Sequence, residues 1–248
     1  MKRIFFSILL LTIFIAGTNA QRTFTIHDLI NTKRVGDPQL SPNGRRIAFT
    51  VGVVDKTANR TLTQIYSIGV DGSDLKQLTN DTKSSSSPRW SPDGKHIAYT
   101  TGGQIWKMED DGDDKEQISR ISTGAGNPVW SPDGKMIAFN SEVYPECTSD
   151  DCNKTEDAKA ENSKVQAKVT ERLLYRHWVE WRDRKRSHVF VVSSNGGSAK
   201  QVTSGDWDSP PYAASSGVDY AFSPDSRDIA FLRNPAKVEA NSTNSDIY

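Results

Sequence analysis

One short motif recurs through the chain and constrains it more than any other feature. Ser91-Pro92-Asp93-Gly94, followed by Ile97-Ala98-Tyr99, has a counterpart in Ser41-Pro42-Asn43-Gly44 with Ile47-Ala48-Phe49. Two further copies are Ser131-Pro132-Asp133-Gly134 with Ile137-Ala138-Phe139, and Ser223-Pro224-Asp225-Ser226 with Ile229-Ala230-Phe231. Proline pre-sets φ at the first central position of a tight turn, Asp or Asn suits the next, and glycine takes the left-handed conformation that follows. Leu40, Trp90, Trp130 and Phe222 stand just before the four turns. Apolar residues on both sides can alternate faces as paired strands, so each copy reads as a hairpin with an apolar face. Ser226 replaces the glycine in the fourth copy, which makes that turn either strained or of another type.

A second element follows at fixed register. Ile65-Tyr66 leads to Asp71-Gly72 and then Gln77-Leu78-Thr79. Ile105-Trp106 leads to Asp111-Gly112 and Gln117-Ile118-Ser119, and Val189-Phe190 to Asn195-Gly196 and Gln201-Val202-Thr203. Each set reads as a third strand, a turn and a short outer strand. Two hairpins make a four-stranded unit, and the spacing from Ser91 to Ser131 matches one β-propeller blade of about 40 residues. The expected fold is all-β, a propeller with about four blades. The acidic run Asp110 to Asp114 falls on one of these turns and lacks the ligand order of a calcium loop. The fourth copy reaches Ile247-Tyr248, the equivalent of Ile65-Tyr66, without its turn and outer strand. The expectation is a partial propeller over 21–248, the front portion of a longer protein with an Asp-Gly or Asn-Gly turn five residues after Tyr248.

The third blade carries an insertion over about 141–187. Its first part, Val143 to Ser163, is polar and acidic and contains Cys147 and Cys152. Composition favours helix from Lys154 to Leu174, with Val165, Val169 and Leu173 forming one stripe. The densest mix of aromatic and ionisable groups follows: Arg176, His177, Trp178, Glu180, Trp181 and Arg182. A functional reading makes this stretch a lip over the propeller face, with arginines for carboxylates and tryptophans as apolar anchors. The competing structural reading is a packed strand pair with solvated charges, and Trp178 and Trp181 in the core. A nucleic-acid patch is disfavoured by export and by a near-neutral charge.

Export follows from the start of the chain. Lys2 and Arg3 precede the apolar run Ile4 to Ala16, and Thr18-Asn19-Ala20 offers small residues for cleavage, the layout of a signal peptide over 1–20. The run is short for a membrane span. Without Lys2 and Arg3, 29 of the 31 basic residues remain against 31 acidic ones, which gives no reason to expect nucleic acid or an anionic membrane as partner. In an oxidising compartment Cys147 and Cys152 read as a disulfide, with two free thiols as the alternative. The sequons at Asn59 and Asn80 would matter only in a eukaryotic secretory route.

No catalytic constellation is evident. The nearest approach to a nucleophile elbow, Gly196-Gly197-Ser198-Ala199-Lys200, ends in lysine and already serves as a blade turn. His27, His96, His177 and His188 are scattered, and neither a metal-ligand cluster nor a phosphate loop is present, so no cofactor or metal is expected.

The blades, together with Arg176-His177-Trp178 and Arg186-Ser187-His188, resemble the propeller of the prolyl oligopeptidase family, in its exported dipeptidyl-peptidase and acylaminoacyl-peptidase branch. The resemblance covers 21–248. It implies a propeller capping a C-terminal α/β-hydrolase domain, absent from this chain, that bears a Ser-Asp-His triad and takes peptide substrates. No triad residue lies in the chain. Related dipeptidyl peptidases hold the substrate amine with an adjacent Glu pair; this chain has none, and Glu171 or Glu180 is a candidate for one such carboxylate. TolB-type propellers carry the same blade motif, which makes a non-enzymatic interaction scaffold the alternative function.

Overall fold

A computed structural model describes residues 22–165, 167, 169–170, 173, 175–177, 180–181, 184–211 and 218–248. The expected signal segment 1–20 lies outside them. Two units are distinguished, Met1–Thr32 and Lys33–Tyr248. In the first, helix α1 (Ile26–Asn31) starts in a capping box: Asp28 N–H donates to the Thr25 side chain, while the Asp28 carboxylate accepts from Thr25 N–H at 2.9 Å.

The second unit is built from antiparallel blades. Blade 1 contains β1 (Arg34–Leu40), β2 (Arg46–Asp55), β3 (Arg60–Gly69) and β4 (Lys76–Gln77), hydrogen-bonded in that order. Blade 2 repeats it with β5 (Ser85–Trp90), β6 (His96–Thr101), β7 (Gln104–Glu109) and β8 (Glu116–Gln117). Blade 3 has β9 (Gly126–Trp130) and β10 (Met136–Val143), then an insertion with α2 (Asp150–Glu161), β11 (Arg176–His177) and β12 (Glu180–Trp181). It is completed by β13 (Arg186–Ser193) and β14 (Lys200–Gln201). Blade 4 has three strands, β15 (Tyr220–Phe222), β16 (Ile229–Arg233) and β17 (Asp246–Ile247).

The four Ser-Pro turns share one hydrogen-bond scheme that explains their composition. The serine hydroxyl donates to the Asn or Asp side chain two residues on, at 2.9, 2.6, 2.7 and 2.7 Å for Ser41, Ser91, Ser131 and Ser223. The same oxygen accepts the backbone N–H five residues on, at 2.9 to 3.0 Å, and so closes the hairpin. The serine hydroxyl is the main reason that Asp93, Asp133 and Asp225 are held below the usual carboxylate range. Gly44, Gly94 and Gly134 have φ of 69°, 72° and 72°, and Ser226 keeps the same conformation at 63°. The fourth turn is therefore of the same type and carries the strain of a non-glycine in the left-handed region. Its hydroxyl has a use: Ser226 Oγ accepts from Asp133 N–H at 3.0 Å, joining the turns of blades 3 and 4.

The outer strands follow a second scheme. Thr79, Ser119 and Thr203 each accept the backbone N–H of the third strand (Ile65, Ile105, Val189) at 2.8 to 2.9 Å. Gln77, Gln117 and Gln201 each donate to the backbone carbonyl two residues on. Asp111-Gly112 forms the blade 2 turn, with Gly112 at φ 94° and Asp111 accepting from Asp113 N–H at 3.0 Å.

The core lies between blades. Each Ile-Ala-aromatic triplet is two-faced because strand side chains alternate. Ala48, Ile65 and Leu78 of blade 1 pack on Ile97, Tyr99 and Met108 of blade 2. Ala98, Ile105 and Ile118 then pack on Ile137 and Phe139 of blade 3, and Ala138 and Val189 on Tyr220, Ile229 and Phe231 of blade 4. Ile97 and Ile137 are wholly buried, each burial contributing about 2 kcal/mol. At the two outer faces the pattern runs out. Ile47 and Phe49 are only half-buried and Ala230 is exposed, so the described residues do not close into a ring.

The insertion departs from expectation. The helix runs over Asp150–Glu161, ending at Asn162, and Val165, Val169 and Leu173 lie beyond it, 69%, 88% and 56% exposed. The start is set by Ser149, whose side chain accepts from Cys152 N–H, and by Asp150 and Asp151 in the first turn. Among the described residues these three are exposed, so they lack the buried contact that holds an apolar stripe in a helix.

The alanine contacts give a test. Ala138→Leu should destabilise the domain by about 1–3 kcal/mol through overpacking, whereas Ala230→Leu should stay within about 0.5 kcal/mol. Denaturant midpoints of the two variants check this; equal losses would refute the interblade role of Ala138.

Candidate functional site

Strand order places the features at two ends of the blades. The Ser-Pro turns and the Asp-Gly turns share one end; the connections between second and third strands, and the linkers between blades, share the other. The insertion therefore emerges at the end opposite the Ser-Pro turns.

At the insertion end, β10 and β13 extend the blade 3 hairpin, pairing Asn140 with Val189 through Val143 with Arg186. Tyr144 N–H donates to buried Asn153 of α2 at 2.9 Å, and the Tyr144 hydroxyl donates to Asp157 at 3.2 Å. Arg184 and Lys185 lie over the Tyr144 ring at 5.5 and 5.3 Å, and Lys185 pairs with Asp157 at 2.7 Å. Arg184 also pairs with Glu146. Asp150 accepts from Ser122 N–H and Oγ at 2.8 and 2.6 Å, tying α2 to the linker between blades 2 and 3. Cys147 and Cys152 are disulfide-bonded across the start of α2.

Of the six candidate residues, Arg176 and Trp181 are brought together. They are partners across the β11–β12 hairpin, and the guanidinium sits 5.3 Å from the indole centroid. Tyr175 stacks on Trp181 with centroids 6.1 Å apart. Trp181 is 52% exposed, so it is not the core residue of the packed-strand reading. His177 and Glu180 are backbone partners in the same hairpin. Trp178, Arg182 and Glu171 lie outside the described residues. The result is an exposed cluster of Tyr175, Arg176 and Trp181 at the insertion end.

At the opposite end, the inner strands wall an axial recess of about 400 Å³ that includes Leu40, Arg89, Trp90, Trp130 and Tyr220. Its side chains are fixed by interblade bonds. Trp90 Nε1 donates to Gln39 O and Trp130 Nε1 to Arg89 O, both at 3.0 Å. Arg89 Nη1 donates to both oxygens of Asp37, at 3.0 and 2.8 Å. The Tyr220 hydroxyl donates to Asn127 O, and burial pushes its phenol well above the ordinary range, so it acts as a neutral donor.

Two repeated columns escaped the sequence analysis. Asp37, Ser87 and Asn127, each preceding a proline, have φ of 47°, 54° and 54°. They sit at β-bulges in the inner strands of blades 1 to 3. The signal was present as a proline three residues before each of these turn serines. The second column is Gln64, Gln104 and His188, one residue before Ile65, Ile105 and Val189. Gln64 and Gln104 donate to the carbonyls of Asp81 and Ile121 in the following linkers, at 2.9 and 2.8 Å. His188 Nε2 meets Gly205 O at 3.0 Å in the same register.

These blades and their interblade bonds define a β-propeller of four-stranded units with an insertion in the third blade. Residues 13–168 match the TolB β-propeller domain, and the chain belongs to that family. It is 31% identical over 243 residues to dipeptidyl-peptidase 5 of Porphyromonas endodontalis, across 93% of this chain and 34% of that protein. With dipeptidyl-peptidase 5 of Porphyromonas gingivalis the identity is 30%, across 94% and 34%. The chain thus spans about a third of the length of these relatives. Among solved structures, an acylaminoacyl peptidase in complex with a chloromethyl ketone superposes with a TM-score of 0.63 at 14% identity, over 89% of this chain and 31% of that one. The Pyrococcus horikoshii acylaminoacyl peptidase gives 0.60 at 15% identity, over 89% and 31%. At that identity the likeness shows the propeller fold. The propeller is related both to those of dipeptidyl peptidases and to TolB-like ones.

The disulfide offers a local test. Closing so short a loop contributes about 2 kcal/mol. The Cys147→Ser, Cys152→Ser pair should speed tryptic cleavage at Lys154 and Lys159 by about tenfold or more through local opening of the insertion, with a smaller change in the midpoint of blade unfolding because the interblade cores lie outside it.

Proposed function

We propose that this chain is the non-catalytic propeller portion of an exported serine peptidase that cleaves short peptides or N-terminal dipeptides. In this reading it restricts access to an α/β-hydrolase domain. The carrying observation is the similarity to dipeptidyl-peptidase 5 over 93% of the chain. The exposed Ala230 face and the half-buried Ile47–Phe49 face suit further blades that complete the ring. The Lys2-Arg3 start and apolar run suit a signal peptide, and the Cys147–Cys152 bond suits an oxidising compartment. Peptide is then the partner of the whole enzyme, with the Arg176–Trp181 knob contacting substrate or the hydrolase domain.

The match to the TolB β-propeller domain favours a second reading, an interaction scaffold with no enzyme domain. The gene beyond codon 248 separates the two: a Gly-x-Ser-x-Gly domain supports the peptidase, and further blades alone support the scaffold. The full-length product should release N-terminal dipeptides and take up a fluorophosphonate at a serine outside 1–248. Labelling of a serine within 1–248 would overturn the non-catalytic assignment. Glu180→Ala should raise KM for free-amine dipeptide substrates with little change in kcat; an unchanged KM removes Glu180 from amine recognition.

A further inference from the structure

His188 occupies a bridging position that glutamine fills in blades 1 and 2, at the point where the insertion returns to the blade. It is wholly buried. A carbonyl can only accept, so its bond to Gly205 O at 3.0 Å places the imidazole proton on Nε2. Nδ1, 3.0 Å from Thr203 Oγ1, then accepts from that hydroxyl, whose oxygen already takes Val189 N–H at 2.9 Å. A second proton would make Nδ1 a donor, oblige the Thr203 hydroxyl to turn its own proton away and accept from both Nδ1 and Val189 N–H, and place a positive charge in a wholly buried site, while the Nε2–H bond to Gly205 O would remain.

Around His188 the return strand β13 is stitched to the linker entering blade 4. Ser187 N–H donates to Asp208 Oδ1 and Ser209 N–H to Ser187 O, both at 2.8 Å. Arg186 Nε lies 3.0 Å from Asp206 Oδ1, and Trp207 packs edge-on to the imidazole at 5.6 Å. The Ser209 hydroxyl donates onward to Leu232 O of blade 4 at 3.0 Å.

We propose that His188 is an acid-released latch holding the return strand of the insertion to the Gly205–Ser209 linker. Above the ordinary imidazole range the neutral ring closes both bonds. Below it, protonation favours the open linker, freeing the insertion end of blade 3 and its link to blade 4. The charged groups around the latch are Lys185 just before β13, Arg186 at its start, Asp206 and Asp208 on the linker, Glu142 on β10, and Arg233 of β16, which lies over Trp207 at 4.0 Å. Burial holds the ring below its usual value; Gly205 O and Asp208 oppose this and Arg186 adds to it. With the folded value lowered, the latch contributes fully above about pH 6.5 and weakens as pH falls from there toward the folded value.

Amide hydrogen exchange of the intact chain, corrected for intrinsic rates, tests this between pH 7.5 and 5.5. Protection at Ser187 and Ser209 should fall by up to about tenfold at pH 5.5, the ceiling for one group titrating one unit above that pH. The amide of Ile121, which donates to Gln104 Oε1 at 3.2 Å in blade 2, should not change. His188→Gln, which copies the other blades, should abolish the pH response, and Asp208→Asn should retain it. A wild-type linker with constant protection down to pH 5.5 overturns the latch. So does a pH response that survives in His188→Gln, or one that vanishes in Asp208→Asn.

Discussion

Blades can stack closely only where one of the facing strands offers no side chain larger than a methyl group. Ala48, Ala98 and Ala138, all wholly buried, meet that condition. Each admits the isoleucine and aromatic ring of the next blade, so the domain has a chain of interblade cores. Interdigitation at this density leaves little tolerance for added volume. It also ties the domain together in one direction, since every blade depends on the following blade to cover its alanine face. Ala230 is the same residue in the same position with nothing over it among the described residues, and its exposure follows directly.

Hydrogen bonds supply the orientation that this non-directional packing lacks. Turn serines close the inner hairpins, outer Thr or Ser residues anchor the third strands, and Gln64, Gln104 and His188 fasten each blade to the linker beyond it. The inner tryptophans add the matching link near the axis. Hydrogen-bonded at both ends, the blades wall the recess from fixed positions.

The blade architecture was legible in the sequence because its requirements are local. A left-handed φ after Pro-Asp and a hydroxyl that reaches two and five residues along are both set within one turn. Ser226 shows the limit of such reasoning. The missing glycine left a strained turn and a turn of another type both open; the strained geometry is the one adopted, accompanied by an interblade bond to Asp133. The insertion was less legible for a related reason. Helix propensity favoured Lys154 to Leu174, whereas capping by Ser149 and the ties to Tyr144 and Ser122 set the helix earlier. Trp181, a core candidate by composition, stands half-exposed between Tyr175 and Arg176. The column of Gln64, Gln104 and His188 was hidden because its third member is of another chemical class and shares with the two glutamines only an N–H that reaches a carbonyl.

That substitution of histidine for glutamine bears on how a propeller of this kind can be regulated. Glutamine makes its bridge at any physiological pH, so the linkers after blades 1 and 2 are indifferent to acid. Histidine makes the same bridge from a wholly buried ring, where a second proton would place an unscreened charge. It does so in the blade that carries the insertion, beside the linker whose Ser209 reaches blade 4. A rim that loosens at one blade leaves the alanine-packed interfaces intact, since Ala138 and Val189 still cover Tyr220 and Phe231. The chemistry of one ring thus separates the packing of the blades from the fastening of the insertion's return strand.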